Sequence, residues 1–88
     1  MHVEILGEVQ GVGFRWFVRN QARTLHLGGW VRNRNDGAVE VAASGEAGAL
    51  EAFRAALQSG PPGAHVRAVR DLAPIAEGEL PQTFTIGH

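Results

Sequence analysis

Cysteine is absent from this chain of 88 residues. That excludes disulfides and thiolate metal sites, and it leaves the redox compartment unreadable from cysteine usage. Lysine is absent as well: all eight basic residues are arginine, a bias that is weak as a sign of thermophily. Neither sign of charge is in excess. The formal net charge is -1, so no global field draws in nucleic acid or an anionic membrane surface, and any anion site has to be local. No apolar run is long enough to span a membrane. The opening "MHVEILGEVQ" lacks the basic-then-apolar order of a signal peptide, so the expectation is a cytoplasmic protein. His2, His26, His65 and His88 are scattered without metal-ligand spacing and read as surface or capping residues.

What is present reads as one domain over residues 1–88, with a hydrophobic share of 44% that is ordinary for a globular fold. "HVEILGEV" alternates, with Val3 and Ile5 on one face and Glu4 on the other, and predicts a first strand. A glycine-rich loop follows, "QGVGF". From Phe14 to about Leu25, Phe14, Phe17, Val18, Ala22 and Leu25 recur at helical spacing, with Arg19 and Arg23 between them. "HLGG" is expected to stop this helix, with Gly28 or Gly29 at its C-terminal cap. "GWVRN" and "AVEVAAS" read as two strands joined through "RNDG", whose Asp-Gly is a hairpin signal. A second helix follows with Leu50, Phe53 and Leu57 on one face, and Ser44 is the expected N-cap. "GPPG" breaks the chain, "AHVRAVRDL" is a fourth strand, "APIAEGELPQ" an irregular crossing, and "TFTIG" a short final strand. The order predicts an α+β, ferredoxin-like βαββαβ sandwich: an antiparallel sheet with two helices on one face and a short extra C-terminal strand. That fold hosts many functions and settles none.

"GEVQGVGFR" combines Gly7, Gly11 and Gly13 with a cation, Arg15, in the first turn of a helix. A glycine turn from strand to helix exposes backbone N–H groups beside the positive end of the helix dipole, which makes an anion nest. A cation there opposes the dipole at a cost of about 0.3–1 kcal/mol. It makes sense when an anion is bound, since its planar fork can take a phosphate bidentately. A plain glycine turn with a solvated arginine fits the same residues, and spacing alone does not separate the two. In a right-handed β-α-β crossover the first two strands are parallel. With the third strand between them, their C-terminal ends lie about 10 Å apart, two strand spacings. Asn33, at the end of the second strand, is therefore carried toward the loop, although asparagine is also favoured simply as a turn residue before a hairpin.

The set lacks a general acid. Glu4 and Glu8 are expected on the solvent side of the first strand, Glu46 and Glu51 on the second helix, and no Ser–His or Cys–His arrangement is evident. Phosphoryl transfer asks mainly for positioning and charge stabilisation. Without an acid or a metal the leaving group must already be good, as a carboxylate with a conjugate-acid pKa of about 4 is. Acyl phosphates are the matching class.

"GEVQGVGFRWFV" followed by "LGGWVRNRNDGAVEV", with "SGPPGAHVRAV" and the closing "FTI", closely resembles the acylphosphatase family over essentially the whole chain. The resemblance implies a ferredoxin-like sandwich that hydrolyses carboxyl-phosphate bonds to a carboxylate and inorganic phosphate, with no metal, no cofactor and no covalent phosphoenzyme. It puts the phosphate loop on Gln10, Gly11, Val12, Gly13 and Phe14, the phosphate-binding arginine on Arg15, and the water-orienting asparagine on Asn33. It implies a small-molecule acyl phosphate as partner and inorganic phosphate as product and competitive inhibitor, in a monomer with no nucleic acid or membrane partner. Many members have threonine after the asparagine; here Arg34 stands there, which puts catalytic efficiency in question and raises a second cation near the site. The rival readings are a non-catalytic or specialised acylphosphatase-like binding domain, similar to those that open larger carbamoyl-transferring maturation proteins, a small-molecule sensor of the same fold, and an RNA-binding module. The chain stops after one domain, which favours the free enzyme over the first. An RNA-recognition motif would need exposed aromatics on its central strands, and "AVEVAAS" has none.

Overall fold

The computed structural model describes residues 1–87; His88 lies outside the described residues. In chain order the elements are β1 (His2–Glu8), α1 (Phe14–Thr24), β2 (Gly28–Asn33), β3 (Val39–Ser44), α2 (Ala47–Ser59), β4 (His65–Asp71), a 3-10 turn at Glu77–Glu79, and β5 (Thr85–Ile86). The strands form one sheet in the order β4-β1-β3-β2-β5. This is the expected ferredoxin-like arrangement, with β3 lying between β1 and β2.

Strand periodicity decides which side chains meet the helices. Val3 and Ile5 of β1, Val31 of β2, and Val39, Val41 and Ala43 of β3 are buried together with Phe14, Val18 and Ala22 of α1 and Phe53 and Leu57 of α2. Phe84 enters the same core and meets Phe53 edge to face at 5.9 Å. α1 packs against β2 and β5, and α2 against β4. Among the described residues no helix is long and apolar enough to cross a membrane.

The antiparallel core and the extra strand are as expected, and the sequence leaves the direction of that strand open. The sheet is mixed: β1–β3, β1–β4 and β2–β3 are antiparallel, but β5 returns to the free edge of β2 and runs parallel to it, pairing Trp30 with Thr85 and Val31 with Ile86. Three expectations are corrected. Ser44 is the last residue of β3; α2 starts at Ala47 behind Glu46, and no side chain caps it. Gly28 and Gly29 belong to β2. The stop of α1 is made by His26 in the left-handed region (φ 58°), with the His26 N–H donating to the Arg23 carbonyl and the Leu27 N–H to that of Ala22. That pair of bonds is the Schellman arrangement. Finally, His2 is no surface residue. Its Nε2 lies 2.6 Å from a Glu40 carboxylate oxygen and its Nδ1 2.7 Å from the Ala73 carbonyl, on the sheet face away from the helices.

Candidate active site

The five residues between β1 and α1, Val9 to Gly13, carry the chain from the sheet to the helix. Gly11 (φ 77°) and Gly13 (φ 73°) both take the left-handed conformation, and Gly13 is the N-cap of α1. A glycine cap has no side chain to satisfy the first-turn N–H groups, and no acidic residue stands in that turn. The N–H groups of Gly11, Val12 and Gly13 make no bond to other backbone groups among the described residues. The loop therefore offers donors without acceptors, at the positive end of a helix dipole.

The loop is anchored at both ends. Val9 and Phe14 are buried, Phe14 beside Phe17 with ring centroids 6.0 Å apart. Gln10 ties it sideways: its Nε2 donates to the carbonyls of Arg34 (2.8 Å) and Ala38 (2.9 Å), across the β2–β3 turn. That turn is closed by the Ala38 N–H donating to Asp36 Oδ1 (3.0 Å) and by a backbone bond from the Arg34 N–H to the Ala38 carbonyl (2.9 Å).

Asn33 reaches the loop by strand parity. It lies two residues beyond the inward-facing Val31, so it continues the helix side of β2 just past the core. Gly11, Gly13, Phe14, Arg15 and Asn33, with Val9 and Trp16, line one cavity of about 170 Å³. None of these is Asp, Glu, His or Cys. Among the described residues, Arg15 and Asn33 have no side-chain hydrogen bond or ion pair within the protein.

Of the residues singled out in the sequence, Gln10, Val12 and Arg34 do not line this cavity. The Gln10 side chain faces the hairpin, and Val12 stands exposed at the loop tip. Arg34 belongs to the opposite face. Its guanidinium pairs with Glu4 (2.8 Å) and with Asp36, so it brings no second cation to the cavity. The Asp36 hydrogen bond raises the Arg34 pKa more than partial burial lowers it, and the Arg34 hydrogen bond holds the Asp36 carboxyl below its ordinary range. Trp16 lines the cavity and was missed in the sequence. Its one sequence signal is an indole on the polar side of an amphipathic helix, where it is 57% exposed.

The family model described as Acylphosphatase matches residues 1–86. The chain belongs to the acylphosphatase family. It is 48% identical over 88 residues to an acylphosphatase of Archaeoglobus fulgidus, covering 100% of this chain and 97% of that one. It is 56% identical over 63 residues to an acylphosphatase of Cupriavidus metallidurans, covering 72% of this chain and 66% of the relative. The crystal structure of an acylphosphatase from Bacillus subtilis superposes with a TM-score of 0.90 at 39% identity, over 99% of this chain and 96% of that one. The protein is accordingly an acylphosphatase, a hydrolase of acyl phosphates.

Proposed function

We propose that this acylphosphatase cleaves its substrate by direct attack of a water held by Asn33 on a phosphoryl group held by the Gln10–Phe14 loop and Arg15, without a metal ion. The observation that carries the reading is the single cavity in which left-handed glycines, a helix N-terminus and an unpaired guanidinium face an unpaired amide. The phosphoryl oxygens take the loop N–H groups and the bidentate Arg15 fork. An amide donates and accepts at once, so Asn33 can hold a water in line with phosphorus. The water oxygen forms the new P–O bond, the bond to the acyl oxygen breaks, and its electron pair leaves on the carboxylate. That leaving group is stable unprotonated at neutral pH. The water proton passes to a phosphoryl oxygen, since no lining side chain is a base. Metal independence is supported by the residues themselves: among the described residues no three His, Cys, Asp or Glu side chains cluster as ligands.

The reading extends to a monomer without a nucleic-acid partner. Among the described residues the large apolar side chains that stand exposed, Val12 and Trp16, are at the loop and α1, and there is no further exposed apolar patch to favour a second copy. On the open sheet face Arg32 and Arg34 are engaged by Glu40 and Glu4, so those two guanidiniums are committed within the protein and not free for a phosphate backbone. The test is hydrolysis of benzoyl phosphate with and without a chelator, beside an alkyl phosphate monoester. Expected is unchanged turnover with the chelator, little cleavage of the monoester, and competitive inhibition by inorganic phosphate. Turnover abolished by the chelator, or comparable cleavage of the monoester, would overturn the proposal.

A further inference from the structure

Next to the phosphate cavity runs a larger one of about 410 Å³, lined by Arg15, Trp16, Arg19, Arg23, Thr85 and Ile86. The two share Arg15 and Trp16, so they adjoin at these two side chains. Arg15, Arg19 and Arg23 stand at successive i, i+4 positions of α1, each about 6 Å further along the axis. Like charges at that spacing oppose the helix, and among the described residues no carboxylate pairs with any of the three. Arg23 is partly engaged, its Nε and one terminal nitrogen donating to the Phe84 carbonyl at 3.1 and 3.0 Å. Arg19 is nearly unengaged. Its guanidinium sits over the Trp16 indole, 4.2 Å from the ring centroid, with one long 3.3 Å bond to Asn20, and its buried Nε has no partner. The groove thus joins two apolar surfaces, the Trp16 ring and Ile86, to a cation about one helical turn from Arg15.

We propose that this groove holds the acyl part of the substrate and favours acyl phosphates whose short acyl chain ends in a second carboxylate, with Trp16 against the chain and Arg19 on the carboxylate. The Nε edge of Arg19 is buried, which leaves its terminal nitrogens as the donor pair and suits the two coplanar oxygens of a carboxylate. The inference rests on the phosphate assignment made under Proposed function, because it takes the neighbouring cavity as the end where phosphorus is held.

The experiment compares fumaryl monophosphate with crotonyl phosphate. Both are rigid trans four-carbon acyl phosphates, one ending in a carboxylate and the other in a methyl group, and neither can cyclise. The wild-type kcat/KM should favour the fumaryl compound by about five- to tenfold after correction for spontaneous hydrolysis, the scale of one partly exposed charged contact. The preference should sit mainly in KM and shrink with added salt. Arg19→Gln should bring the ratio close to one, and Arg19→Lys should keep part of it, both variants being checked for folding by thermal unfolding. A wild-type ratio of one or less, or an Arg19→Gln protein that keeps the preference, overturns the groove assignment while leaving acyl phosphate hydrolysis standing. Hydrolysis of neither compound by wild type overturns both.

Discussion

At the scale of single residues, the glycines divide by what surrounds them. A Cβ built at Gly11 or Gly13 would meet nothing within 4 Å, so only their positive φ calls for glycine. A Cβ at Gly7 or Gly29 would fall 2.1 Å from the His65 carbonyl oxygen or 1.9 Å from that of Ala42, so those two serve close strand packing. The loop glycines leave open space beside the backbone that lines the cavity, which suits the close approach of a phosphate. On the proposed mechanism Arg15 and Asn33, which line the same cavity, have separable tasks. Arg15→Lys keeps the charge but loses the fork, and turnover should fall by about 10²-fold, the scale for removing a fixed donor from a transition state, in a protein that still folds. Asn33→Ala should lower kcat by about 10²-fold, as a misplaced reacting group does, with phosphate affinity nearly unchanged. Asn33→Asp should fail too, because a carboxylate repels the phosphate. Calorimetric phosphate binding measured beside turnover separates these tasks: parallel loss of binding and kcat in Asn33→Ala would make Asn33 a binding residue and remove its water.

At the scale of elements, the stop of α1 makes a prediction of its own. His26 occupies a left-handed position at φ 58°, which costs a residue with a Cβ about 1–2 kcal/mol. It is exposed and makes no side-chain hydrogen bond among the described residues. His26→Gly should therefore stabilise the protein by about 1 kcal/mol and raise its Tm by about 4–8 °C. A lower Tm would show that the imidazole contributes something the backbone geometry does not reveal. The same junction shows where sequence reading reaches its limit. Two glycines after a helical run suggest a cap, and nothing in the string says that Gly28 is needed because the Pro81 carbonyl lies 2.4 Å from where its Cβ would be. Alternating valines and the helical spacing of Phe14, Val18 and Ala22 made the layers legible, because burial acts on local periodicity. The approach of Asn33 to the loop was legible from the parallel crossover and the strand order. The direction of β5 was not, since a strand of two residues carries no periodicity. Neither was the large groove, because it is closed by Thr85 and Ile86, far along the chain from α1.

At the scale of the whole molecule, the sheet separates two kinds of chemistry. Its helix side ends in the cavity between the Val9–Gly13 loop and Asn33, while its other side carries a charged network that stands away from that cavity. There Glu4 and Glu40 face each other across β1 and β3, a like-charged pair that would be unfavourable alone. Arg34 takes Glu4, and Glu40 receives His2 at 2.6 Å and Arg32 at 3.1 and 3.0 Å. The Arg32 guanidinium also lies over the Trp30 ring, 4.5 Å from its centroid, and His2 meets the same ring edge to face. Glu40 is only 7% exposed. Burial pushes its carboxyl up, but the hydrogen bonds from His2 and Arg32 outweigh burial and hold it below its ordinary value of 4.5. A carboxyl with a lowered pKa in the folded state contributes stability that is present above pH 4.5 and is lost as pH falls through the folded value. Asp36, lowered by Arg34 at an exposed position, adds to the same acid limb with the same sign. Glu40→Gln should accordingly be less stable than wild type by about 1–3 kcal/mol at pH 7, the scale for a hydrogen-bonded charged group. The gap should close as the wild-type carboxyl is protonated below pH 4.5. Urea unfolding of both proteins at several pH values between neutral and acid measures the gap directly. A gap that stays constant across that range would mean that the second acceptor oxygen facing His2 or Arg32, which Gln replaces by an NH2 donor, and not the charge of Glu40, holds the outer face together.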